Sequence, residues 1–142
     1  MQGEAACTER LGEIALALSD HRLARAQYVT ALKFFQDSRD VLGKANCIRG
    51  LGNVHEATRE FAAARERWRE AIALYAKIRN LYWLSLTHLS LARRAEAAED
   101  AAQHREAAYQ AWESILRPGP RQVISQRRMR QRPIPPSRRA TF

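Results

Sequence analysis

The chain has 142 residues, enough for one domain with a modest core. Its formal net charge of +9 is unevenly placed: residues 1–116 hold 16 Lys+Arg against 15 Asp+Glu, whereas residues 117–142 hold eight Arg and no acid. No run is long and apolar enough to span a bilayer and no secretory leader pattern opens the chain, so the expected location is the cytoplasm.

The first forty residues already carry the organising pattern. Residues 3–42 align with 43–82 without a gap and share ten identities in 40 positions. Among them are Gly3/Gly43, Cys7/Cys47, Leu11/Leu51, Gly12/Gly52, Ala24/Ala64 and Ala31/Ala71, with Tyr28/Trp68 and Phe35/Tyr75 as aromatic exchanges. A repeat of this length indicates a solenoid or array. Within each unit, apolar residues recur at steps of three and four, one stripe per helix with charge on the far side. In the second unit the stripes are Cys47, Ile48, Leu51, Val54, Thr58 and then Phe61, Ala64, Trp68, Ala71, Tyr75, Ile78. The pattern predicts six helices, at about 1–19, 22–38, 41–58, 61–79, 81–97 and 100–116. Asp40 and Asn80 stand where a side-chain oxygen can cap a helix start, and Asp20 and Glu60 lie in the turns inside the pairs.

The third unit, about 83–116, is less regular. Leu91-Ala92 takes the place of Leu51-Gly52. Its last helix fits better after a four-residue shift, which would let Tyr109, Trp112 and Ile115 close the core. Cys7 and Cys47 occupy equivalent positions one layer apart, beyond disulfide reach, and read as small buried thiols.

The packing logic is physical. Glycine inside a helix costs roughly 0.5–1 kcal/mol relative to alanine, so Gly12 and Gly52 are expected only where another helix approaches closely. Ala24, Ala31, Ala64 and Ala71 permit the same closeness from the facing helix, and Tyr28 and Trp68 then fill the space between successive pairs. The fold expected is all-α: a solenoid of three antiparallel helix pairs over residues 1–116, followed by a disordered basic tail over 117–142.

The set Leu11, Gly12, Ala15, Ala24, Tyr28, Ala31, repeated as Leu51, Gly52, His55, Ala64, Trp68, Ala71, resembles the tetratricopeptide repeat. The 40-residue period exceeds that family's usual 34. It is similar to the longer form in Leu-Gly-Asn-repeat proteins and in the sensor arms of bacterial regulators. Gln36 and Ala76 stand where the family often has proline. The resemblance implies a non-enzymatic docking module without cofactors, whose first helix of each pair lines a concave groove. The groove positions would be Ala6, Glu9, Glu13 and Leu16 in unit one, Asn46, Arg49, Asn53 and Glu56 in unit two, and Leu86, Leu89, Arg93 and Glu96 in unit three. Asn46, Arg49, Asn53 and Arg93 would form a donor-rich patch for peptide carbonyls or an acidic side chain. The family's clamp for chaperone C-termini is not expected, because Glu9, Glu13 and Leu89 stand where Lys, Asn and Lys are needed.

No catalytic or metal constellation is apparent. His21, His55, His88 and His104 are scattered, and no phosphate loop or nucleophile elbow occurs. The arginine-rich tail offers a second expectation, salt-sensitive nucleic-acid contact. Gly3-Glu4-Ala5 is already in register with Gly43-Lys44-Ala45, so the array begins without a polar cap. Extension by further repeats, or self-association through the first helix, is expected from that.

Overall fold

The computed structural model describes residues 2–117. Among them are six α-helices and no strand: α1 (Gln2–Ala17), α2 (His21–Ser38), α3 (Val41–Ala57), α4 (Phe61–Lys77), α5 (Leu81–Arg93) and α6 (Ala98–Leu116). Each helix packs on its neighbours in sequence, giving three helix pairs in a solenoid. The arginine-rich segment beyond Arg117 lies outside the described residues.

The first four junctions are made the same way. Ser19, Arg39, Arg59 and Arg79 adopt left-handed backbone, with φ of 61°, 58°, 64° and 55°. The amide of the next residue then reaches back five positions, from Asp20 to Ala15 (2.8 Å), Asp40 to Phe35 (3.0 Å), Glu60 to His55 (2.8 Å) and Asn80 to Tyr75 (2.9 Å). These bonds satisfy carbonyls that a helix end would otherwise leave unpaired. Asp20, Asp40 and Asn80 each start the following helix by accepting from the amides of Leu23, Gly43 and Trp83. Glu60 makes no such cap bond. Its carboxylate instead accepts from Thr58 Oγ1 at 2.6 Å and from the Arg25 guanidinium at 3.2 Å, tying the turn to the preceding pair.

The core is a chain of small clusters along the stack. Ala15, Ala24 and Tyr28 of the first pair bury Leu51 and Val54 of the second. Ala64 and Trp68 of the second pair bury Leu91 of the third. A Cβ on Gly12 would stand 3.1 Å from the Tyr28 ring, and one on Gly52 would stand 2.6 Å from the Trp68 indole. Tyr28 also covers Gly50, where a Cβ would overlap its ring, so it does fill the space between the first two pairs. Phe35 covers Gly43 in the same way.

Three expectations need correction. The fifth helix ends at Arg93 rather than near residue 97, and α6 begins at Ala98. The Arg65 guanidinium holds the connection, donating to the Arg94 carbonyl at 3.0 Å and to Glu96 at 2.8 Å. The four-residue shift in the last helix is not needed. Ala108 and Ala111 are buried, at the unshifted equivalents of Trp68 and Ala71, while Tyr109 and Ile115 are exposed. Trp112 is partly buried, edge-on to Tyr82 at 5.8 Å between centroids. Finally, Cys47 is buried but Cys7 is exposed, because no helix pair precedes α1 among the described residues.

Candidate functional site

Asn46, Arg49, Asn53 and Glu56 lie along α3 at steps of three, four and three, so they share one face. The structure shows that this face is wired to the helices beside it. Arg49 Nε donates to Tyr75 Oη at 3.1 Å, and Tyr75 Oη donates to Asn46 Oδ1 at 2.6 Å. The Arg49 guanidinium also lies over the Trp83 ring, 3.9 Å from its centroid. One turn further on, Trp68 Nε1 donates to Asn53 Oδ1 at 3.1 Å.

These bonds set the polarity of the face. An indole N–H can only donate, so the Asn53 atom beside it must be the oxygen. Tyr75 already accepts from Arg49, which leaves its own proton for Asn46 and again assigns the oxygen. Both carboxamides therefore have their oxygens committed to buried aromatics and their N–H2 groups uncommitted. The terminal nitrogens of Arg49 make no hydrogen bond among the described residues, whereas its Nε and ring face are held. Asn46, Arg49 and Asn53 thus offer donors, on a frame fixed by Tyr75, Trp83 and Trp68.

Glu56 and Arg93 are engaged with each other. The Arg93 guanidinium meets the Glu56 carboxylate at 2.9–3.0 Å through two nitrogens. Arg94 Nε adds a fourth bond at 2.8 Å, and its guanidinium lies 4.4 Å from the Phe61 ring centroid. This ion cluster joins the second pair to the third. Arg93 is therefore not a free member of the expected donor patch, because Glu56 satisfies it. Asn53 likewise does not turn wholly away from the packing, because it receives the Trp68 indole. Leu89 is exposed and apolar on α5.

Across from Arg49, Glu9 is half-buried on α1. Burial pushes its carboxyl above the usual range and Glu13 adds to that, while Arg49 and Arg10 pull the other way. Tyr28 is raised to about 12, chiefly by burial. Tyr75 is also raised, again first by burial, with Arg49 opposing. Neither phenol ionises near neutral pH, so Tyr75 keeps the proton that it donates to Asn46.

Tyr75, Trp68 and Trp83 escaped sequence reasoning as polar partners. One signal was present: a buried Trp or Tyr carries an N–H or O–H that must find an acceptor, and Asn46 and Asn53 are the amides within reach.

The family model for the tetratricopeptide repeat matches residues 4–77. No curated protein and no solved structure gives a significant match.

Proposed function

The chain belongs to the tetratricopeptide repeat family, whose repeats are generally non-enzymatic protein–protein interaction modules, and on that premise we propose that it docks a peptide or helix of a partner protein along α3. The observation that carries this reading is the donor-only face of Asn46, Arg49 and Asn53. Such a face suits a ligand that brings oxygens, either main-chain carbonyls or an acidic side chain seated on Arg49. Exposed Leu89 supplies an apolar contact on α5 beside it. A cytoplasmic, regulatory setting is part of the proposal, in keeping with two free thiols.

The test compares partners recovered from native lysate by the wild type and by Arg49→Ala, with circular dichroism confirming that the variant still melts cooperatively. Loss of specific partners from a folded Arg49→Ala protein is the expected outcome. The same partners recovered by both would overturn the α3 site. Asn53→Ala is the less clean variant, since it strands the Trp68 N–H.

A second reading concerns the segment 117–142, with eight Arg and no acid. A tail of this charge binds nucleic acid through counterion release. Truncation after Leu116 should abolish salt-sensitive DNA or RNA binding, and undiminished binding by the truncated chain would remove this reading. We also propose self-association through α1. Leu11, Ile14 and Leu18 are 50%, 54% and 75% exposed, whereas their counterparts Leu51 and Val54 are 5% and 1% exposed under a preceding pair. Sedimentation that stays monomeric across concentration would rule it out.

A further inference from the structure

His88 and His104 are sixteen residues apart and were unremarkable in sequence. In the structure they meet across the α5–α6 seam, with Nδ1 to Nδ1 at 3.0 Å and ring centroids at 5.2 Å. Both are partly buried. The repeat makes their placement unusual. His88 occupies the position of Thr8 and Ile48, and His104 the position of Ala24 and Ala64. Ile48, Ala24 and Ala64 are buried in the core. The third pair therefore carries imidazoles at two positions that the second pair fills with buried apolar side chains.

Two nitrogens at this distance share one proton, one ring donating and the other accepting. A second proton between them leaves two N–H donors facing each other and puts a positive charge into a partly buried seam. The surroundings do not neutralise that charge. From α4, Arg69 lies close enough to disfavour protonation of His104, and Arg65 lines the same crevice but is committed to Glu96. From α6, Asp100 is the one carboxylate acting in favour of protonation.

We propose that the His88–His104 pair is a proton-operated latch: with one shared proton it closes α6 on α5, and with a second it releases α6 from α5. The direction follows from linkage. Burial, and then His104, hold His88 below the ordinary 6.5; burial, and then Arg69, hold His104 below it. The unfolded chain takes up protons first, so the stability of the pair is full above about pH 6.5 and is lost as pH falls below it. The latch is independent of the α3 docking site, since neither imidazole belongs to that face.

The experiment uses the full chain and the double variant His88→Ile/His104→Ala, which restores the residues of the second unit. Hydrogen exchange on α6, compared between the two proteins at the same pH, is the main readout. At pH 7.5 the two should protect α6 alike; at pH 5.5 the wild type should lose α6 protection about tenfold relative to the variant, with α1–α4 unchanged in both. The wild-type melting temperature should fall roughly 3–5 °C further than the variant's over that range. Equal pH dependence in both proteins would overturn the latch. Should the double variant not fold, histidine NMR titration decides. Removing His104 alone should raise the pKa of His88 if the rings are coupled, and an unchanged His88 would refute the coupling.

Discussion

At the scale of single residues, the fold depends on side chains that are missing. Gly52 has the Trp68 indole 2.6 Å and the Ala64 carbonyl oxygen 3.3 Å from where a Cβ would stand. Overpacking of this kind exceeds the gain in helix propensity, so Gly52→Ala should destabilise the chain by about 1–3 kcal/mol, measured by urea denaturation. Gly3, with nothing within 4 Å of a Cβ, is the control and should tolerate alanine. The two thiols divide by the same logic of contact. Burial raises Cys47 to about 12 and seals it, while Cys7 is exposed. Native protein at pH 8 should take up one equivalent of a thiol reagent quickly, and the second only on unfolding. The glycine roles were legible in sequence, because a helical glycine costs energy that only close packing offsets. The partners of Asn46 and Asn53 were not, because a hydrogen bond between helices depends on a crossing geometry that no local pattern encodes. The His88–His104 contact was hidden for the same reason.

At the scale of elements, the helix boundaries follow from caps more than from propensity. Asp20, Asp40 and Asn80 announce helix starts through their side chains, and the starts of α2, α3 and α5 fall just after them. The helix ends were harder to read. The usual marker is a glycine in left-handed backbone, and here Ser19, Arg39, Arg59 and Arg79 hold that conformation instead. An L-residue there carries about 1–2 kcal/mol of strain, so Arg59→Gly should raise stability by about 0.5–1 kcal/mol after the entropy of glycine is set against it. Chemical denaturation of Arg39→Gly and Arg59→Gly checks this, and a loss of stability in both would contradict the backbone argument. At the fifth junction the repeat's periodicity misleads. Glu99 and Asp100 occupy the places of the earlier left-handed residues and caps, yet they form the first turn of α6, where their charge suits the helix N-terminus.

At the scale of the whole molecule, each pair meets only adjacent elements, so stability is close to a sum of neighbour terms. Leu91 is the main apolar plug between the second and third pairs. Leu91→Ala should cost about 2–5 kcal/mol, and hydrogen exchange should place the loss in α5 and α6 while α1–α3 keep their protection. A uniform loss over all six helices would show a two-state unit instead. The proposed docking face lies on the central pair, with Arg49 held over Trp83 of the third. The proposed latch lies in the outer pair. The two proposals thus concern different layers.

The four matching junctions also fix length. These turns, two or three residues long, have no slack, and one residue added to a helix rotates everything downstream by about 100°. Side chains that now face the core would be swung toward water. Within residues 2–117, the Arg94–Ala97 connection is the one junction free of this constraint, since neither Arg94 nor Ala97 is left-handed. A short glycine–serine insertion between Glu96 and Ala97, beyond both partners of Arg65, should leave the melting temperature almost unchanged, whereas the same insertion at Arg39 should unfold the chain. Among the described residues this is the single natural graft point, and it lies at the edge of the pair that His88 and His104 join.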